Sequence, residues 1–402
     1  MLTNHTRREW LWKTASAVSG VYLGGMRTVH AAEAPAAPVA IGRSKTYDTA
    51  ELLPAMEKMF DQLGGLGRLV KGKTVAMKIN LTGSPTYRLG YLPLEDTTYT
   101  HPRVIAVTAH LMARAGARRI RILESPWSTA DPVEEYLIRA NIEPRDILGA
   151  APIVEFENTN WLGQGKKYSR MTVPHGGLVF PAFDLNHSYE DCDVFVSIAK
   201  MKEHFTAGIT LSMKNCFGMT PCTIYGTGAG VDEPSLVPNG GRTMVHSGYR
   251  QPSKSAPPEK DPTTPRQDTW RVPRTVVDLI SARPIHLAIV EGIKTMTGGE
   301  GPWIREILKP AEPGVMLAGT NPVNTDAVAM AMMGFDPMAD RGTPPFEKCD
   351  STLKLAEGVG LGTRDLKRIE VIGVPIAQAR FDFAGIRAKR RGIPVPPPGI
   401  RG

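Results

Sequence analysis

Lys200, Lys202 and His204 stand at alternate positions, and Lys214 and Asn215 follow after a glycine-containing stretch. Three lysines with an imidazole between them favour a carboxylate, a phosphate or another anion. An imidazole ionises near neutrality, which suits His204 to proton transfer. Lysine runs are more often a bare solvated face, and a single histidine more often structural. Here the cations alternate with Gly, Thr, Ser and Asn, which is site composition rather than surface composition. Carboxylates that could complete such a site are Glu291, Glu300 and Asp326. Catalytic roles are assigned to His204, Lys214, Glu291 and Glu300, and substrate binding to Lys78, Asn80, His101, Lys200, Lys202 and Asn215. His204 and Asp326 together could instead hold a divalent metal. Two of these residues have an equally good structural reading: His101 as a local helix cap, and Asp326 as an acid serving a helix N-terminus.

Residues that act together need elements to bring them together. Asp193 to Ala199 is a short apolar run bounded by charge, as expected of a strand buried on both faces. Lys73 to Leu81 alternates like a second strand, and Ala117 to Ser125 reads as a third. Between the last two, Val104, Ile105, Val107, Leu111 and Met112 recur at helical spacing, with Thr100 placed to cap the helix. Strand, helix and strand in this order make a parallel crossover unit. Ligands of such sheets bind beyond the carboxyl ends of the strands, where Lys78, Asn80, Glu124 and Lys200 fall. Residues 82–100 form a long polar loop rich in Gly, Pro and Tyr, of the kind that is often functional.

The expected fold is α/β, with mainly parallel, Rossmann-like sheets in two packed lobes. A linker and first helix occupy residues 33–72, the first lobe 73–224, and a Gly- and Pro-rich insertion or lid 225–273. The second lobe spans 274–375, with a helix from Arg274 and another from Asn324 that places Asp326 in its first turn. A basic, proline-rich, extended tail covers 376–402. The GTGAG run at Gly226 to Gly230 lacks the strand-to-helix setting and full spacing of a dinucleotide fingerprint and reads as a turn.

Several blocks resemble the family called domain of unknown function 362. An Asp-rich strand leads into the K-x-K-x-H run at Lys200 to His204 and then into TLSMKNCFG from Thr210. KINL at Lys78, THP at Thr100, GGEGP at Gly298 and AGTNPVNTDAVA at Ala318 are similar to the family's other blocks, in the same order. Together they cover most of the chain from about Lys73 to Gly373. The family carries no settled activity, so the resemblance implies a fold rather than a reaction. His204, with Lys214 ten residues on, is also similar to a segment of nickel-dependent lactate racemases, in which the lysine holds a pyridinium pincer cofactor. The chain departs from those enzymes in lacking their Asp-His-Thr-Arg-Pro motif, and Leu211, Ser212 and Met213 replace the glycines before their lysine.

Composition narrows the rest. The chain has 402 residues, 42% of them apolar, which is enough for a sizeable core. Its net charge of +8 suits anionic partners. No basic platform interleaved with aromatics appears, so nucleic acid is not expected. Cys192, Cys216, Cys222 and Cys349 contain no closely spaced pair of the C-x-x-C type, so an iron-sulfur cluster within the chain is unlikely on spacing. Cys216 and Cys222 could bridge in an oxidising compartment. Thr6 to Lys13 resembles a twin-arginine export signal, followed by a mildly apolar run to Met26 that is too short for a stable membrane span. Small residues around Ala31 suit cleavage. Residues 1–32 are therefore expected to engage the twin-arginine translocation machinery, with a periplasmic or otherwise exported product. No Walker loop, Gly-x-Ser-x-Gly elbow or His-Glu-x-x-His run is present. The reading favours an exported enzyme acting on a small anionic molecule. The alternative is a non-catalytic protein that captures an anion or serves a redox partner.

Overall fold

The computed structural model describes residues 33–390 apart from 164, 166 and 305–307, and leaves the side chains of 387–390 aside. The expected twin-arginine segment and the end of the tail, 391–402, lie outside the described residues. The fold below is that of the unit Ala34–Gly402.

Fourteen strands are described: β1 Val39–Arg43, β2 Thr74–Lys78, β3 Arg119–Glu124, β4 Val154–Asn158, β5 Ser169–Thr172, β6 Ala182–Leu185, β7 Val194–Lys200, β8 Lys202–His204, β9 Gly208–Thr210, β10 Leu287–Gly292, β11 Thr295–Thr297, β12 Lys309–Ala311, β13 Val315–Gly319 and β14 Val371–Gly373. Eight of them make one sheet in the order β14-β1-β13-β10-β7-β2-β3-β4. Only β13 runs against its two neighbours; the other pairings are parallel. The chain is an α/β protein with a mainly parallel sheet. Strands from both sequence segments read as lobes enter this one sheet, with β10 hydrogen-bonded directly to β7.

Both faces of the sheet are covered, and the central strands β2, β7 and β10 are accordingly apolar apart from Thr74, Lys78, Ser197, Lys200 and Glu291, without the alternation of a one-sided sheet. Val75, Met77, Ile120, Ile122, Val196 and Ile198 belong to one core, shared with Met56, Val104 and Met112 of the helices Thr49–Gln62 and Pro102–Arg114. Ala76, Leu123, Phe195, Ala288 and Val290 belong to the other, shared with Val276, Ile280, Val328 and Met332 of the helices Asp268–Ala282 and Pro322–Met332. No helix among the described residues is long and apolar enough to cross a membrane.

Four local expectations are corrected. Thr100 does not cap the helix that follows β2. His101 does, its Nδ1 accepting the Arg103 N–H at 3.1 Å. Thr100 instead accepts the Asn80 N–H and donates to the Ile198 carbonyl, tying the loop to β7. The helix expected from Arg274 begins at Asp268 and runs through Pro273. A proline there deprives the Thr269 carbonyl of its helical donor, and the Asp350 N–H and Arg341 guanidinium supply bonds in its place, both at 3.3 Å. Asp326 is not in the first turn, because its helix starts at Pro322 with Asn321 as cap. The tail is not extended throughout: Phe383–Arg390 is helical, anchored by the fully buried Phe383. Its prolines begin only at Pro394, so nothing in 383–390 forbids a helix.

Candidate functional site

After β2 the chain goes on to β3 and β4 on one side, and later returns to place β7 on β2's other side. The carboxyl ends of β2 and β7 are therefore a topological switch point, where the loops diverge and leave a crevice. A cavity of about 530 Å³ opens there. Its wall takes residues following β2 and β3, the β8–β9 hairpin, the short helix Ser212–Asn215, and residues 241–247 of the segment read as an insertion or lid.

Of the residues named from sequence, Lys78, Asn80, His204, Lys214, Asn215 and Glu300 line this cavity. Lys200, Lys202, His101, Glu291 and Asp326 do not. Strand alternation explains much of this division. Lys78 pairs in register with Ser197, so Lys200, three residues further along β7, points to the opposite face. There it pairs with Glu291, its neighbour across β10, and donates to the carbonyls of Glu95 at 2.6 Å and Lys294 at 2.9 Å. Glu291 also takes the Tyr47 hydroxyl at 3.0 Å and the His101 N–H at 3.1 Å. His101 lies flat on Tyr47, with ring centroids 3.4 Å apart. Burial, reinforced by Lys200, Lys294 and Arg103, pushes the His101 imidazole down to about 2. This is a closed ionic knot with a neutral imidazole stacked on it.

Lys202 is wholly buried and donates to Asn80 Oδ1 at 3.1 Å and the Thr98 carbonyl at 2.6 Å. Asp326 accepts the Ser212 N–H at 2.9 Å, the Ser212 hydroxyl at 2.6 Å and the Met213 N–H at 3.0 Å. It thereby anchors, from another helix, the turn that carries Lys214 and Asn215. Its carboxyl is pushed up to about 7 by burial, against the pull of those three bonds. The structure thus does not join His204 and Asp326 in one site. Among the described residues, no group of three or more His, Cys, Asp or Glu side chains is placed to hold a metal.

Inside the cavity the charges are unequally satisfied. Lys78 and Glu124 form a buried ion pair at 2.6 Å, and Glu124 also accepts the Leu81 N–H at 2.7 Å. Lys214 has the Phe217 ring as neighbour, its Nζ 4.5 Å from the centroid. Burial pushes its amine down to about 7, with Glu300 opposing and Arg242 and Lys78 adding to the fall. Arg242 spends its guanidinium on carbonyls, of Thr220 at 2.8 Å and Ser125 at 2.6 Å, so its charge is not neutralised by those bonds. His204 Nδ1 accepts the Thr206 N–H at 3.2 Å, and a backbone N–H only donates, so the neutral ring carries its proton on Nε2. Burial first, then Lys214, His246 and Lys202, hold its pKa well below the ordinary value. Glu300 stands 3.9 Å from His204 Nδ1 and accepts the Phe205 N–H at 2.8 Å.

Two buried oxygens on cavity-lining residues lack partners within the chain. Asn215 directs its amide nitrogen to the Lys78 and Ile198 carbonyls and Ser197 Oγ. Carbonyls only accept, which fixes the amide's orientation and leaves Oδ1 without a bond. Thr210 Oγ1 is likewise unpartnered. Both residues are over nine-tenths buried.

The sequence reading missed Arg242, His246, Thr210 and three aromatic residues, Tyr87, Trp127 and Trp303. Trp127 follows β3 closely and Trp303 directly follows GGEGP, positions a search for residues just beyond strand ends and glycine turns could have flagged. Arg242 and His246 carry no such signal, because their approach depends on how residues 225–267 fold back. All four cysteines are buried and unbridged. Burial pushes the Cys216 thiol up to about 12, which leaves it inert as a nucleophile at neutral pH.

The family model described as Domain of unknown function (DUF362) matches residues 75–331. A thylakoid-associated protein of Synechocystis sp. (strain ATCC 27184 / PCC 6803 / Kazusa) is 28% identical over 188 residues, 46% of this chain and 50% of that protein. The chain thus spans about half the length of this relative. A crystal structure of a protein from Thermotoga maritima aligns with 12% identity and a TM-score of 0.32, over 76% of this chain and 60% of that one.

Proposed function

The chain belongs to the DUF362 family, and from that premise we propose that its cavity binds a small anionic molecule and acts on it by proton transfer. The observation that carries the reading is Lys214, a cavity-lining amine whose pKa of about 7 lets it both hold a negative charge and exchange a proton near neutrality. Arg242 adds a positive charge, His204 offers Nε2–H as a neutral donor, and Glu300 stands 3.9 Å from His204 Nδ1. Lys78 is already paired with Glu124, so its charge is largely neutralised and the free positive charge of the site comes from Lys214 and Arg242.

Calorimetric titration with inorganic phosphate and a panel of mono- and dicarboxylates tests this. Lys214→Met and Arg242→Ala are each expected to weaken binding about tenfold or more, the scale of a lost charged hydrogen bond. Unchanged affinity in variants with wild-type circular dichroism would remove the anion site. Catalysis separates from simple capture through His204→Ala and Glu300→Gln: an enzyme loses turnover of a bound ligand while keeping affinity, whereas a capture protein loses affinity only with its cations.

A further inference from the structure

The mouth of the cavity is aromatic. Tyr87, Trp127 and Trp303 all line it, and they remain 41%, 42% and 37% exposed. Tyr87 sits between the two indoles, its ring centroid 5.9 Å from that of Trp127 and 6.1 Å from that of Trp303. The three come from separate segments, after β2, after β3 and after Gly301, so local sequence does not force them together. Glycines make room for them. A Cβ on Gly83 or Gly301 would overlap the Trp303 ring, and one on Gly241 would come within 3.3 Å of Trp127 Nε1. Large rings left open side by side forgo the burial that Tyr99, Tyr136 and Tyr225 obtain. Clustered exposed apolar surface of this kind marks a contact.

We propose that this rim is a ring-stacking subsite, and that the molecule taken by the cavity is an anion bearing a planar ring. The proposal rests on the anion reading above and narrows its ligand class. The anionic end faces Lys214 and Arg242. The ring lies against the Tyr87, Trp127 and Trp303 rim. A volume of about 530 Å³ suits a ligand of that size.

The test compares ring-bearing anions with ringless anions of like headgroup: indole-3-lactate against lactate, and adenosine 5′-monophosphate against inorganic phosphate. The probes are titrated calorimetrically into the full chain. At least one ring-bearing member is expected to bind tenfold or more tightly than its ringless counterpart, the scale of one good aromatic stack. Trp303→Ala and Trp127→Ala should erase most of that preference while leaving the ringless affinity unchanged, and Trp303→Phe should restore part of it. Lys214→Met should weaken both members of each pair. Ringless anions binding as tightly as ring-bearing ones would overturn the ring subsite and leave the anion site standing. Binding of none of the four probes, or indifference to Lys214→Met, would overturn both.

Discussion

Lys200, Lys202 and Lys214 are one residue type within a short stretch, and their surroundings give them three different roles. Lys200 is closed in an ion pair, Lys202 is bonded to an amide oxygen and a carbonyl, and Lys214 faces a cavity. Sequence spacing identified the cluster but not which member is available, because that depends on strand parity and on a loop carbonyl, Glu95, far away in the chain. The distinction has a measurable consequence. Lys200→Met leaves the Glu291 carboxylate buried without its cation and should cost about 3–5 kcal/mol in chemical denaturation. Lys200→Met combined with Glu291→Gln removes both charges and should cost less than the single change. A double variant less stable than Lys200→Met would contradict a structural role for the pair. Glu291 and His101, offered on sequence as catalytic and binding residues, fall in this knot; Lys78, Asn80, His204, Lys214, Asn215 and Glu300, offered on the same grounds, gather at the cavity.

Among elements, the helix Ser212–Asn215 matters most and is the least able to stand alone. Four residues make too short a helix to persist unaided, and Asp326 fixes it with three bonds from the helix Pro322–Met332. Asp326→Asn keeps the size but turns an amide nitrogen toward one of the donors. It should cost about 1–3 kcal/mol in denaturant unfolding and weaken anion binding by loosening Lys214. Stability within error of wild type would argue against this anchor. The long elements were legible because their apolar periodicity repeats: β2, β3, β7 and the helix Pro102–Arg114 fall within a few residues of expectation. Asp326 was legible as an acid near a helix start, but not as the anchor of a different helix. Nothing in the local sequence encodes a partner more than a hundred residues away.

For the whole molecule, the switch between β2 and β7 places the cavity, and alternating strands and helices in the sequence were enough to expect a mainly parallel sheet with a site at its carboxyl edge. What sequence could not supply is the return of residues 241–247 and of Trp303 to that edge, since neither has periodicity or motif to fix its path. Export through the twin-arginine route remains a proposal motivated by Arg7 and Arg8 ahead of an apolar run. Replacing both by lysine is expected to retain the protein in the cytoplasm with its precursor mass. Unimpaired export of that variant would refute the route.

The most direct measurement is the pH dependence of anion binding in wild type and Lys214→Met. The Lys214 amine has a folded pKa of about 7, below its unfolded value. It is therefore charged below about pH 7 and loses its proton as pH rises through that value. The same depression means that the unfolded chain binds the extra proton between about 7 and 10.4, so this group's unfavourable contribution to stability is relieved as pH rises across that window. Phosphate affinity in wild type should accordingly fall about fivefold or more between pH 6 and 8.5, beyond the change due to phosphate's own ionisation, which the variant reports. Lys214→Met should bind weakly at both values. Parallel pH profiles with equal affinities in the two proteins would contradict the account.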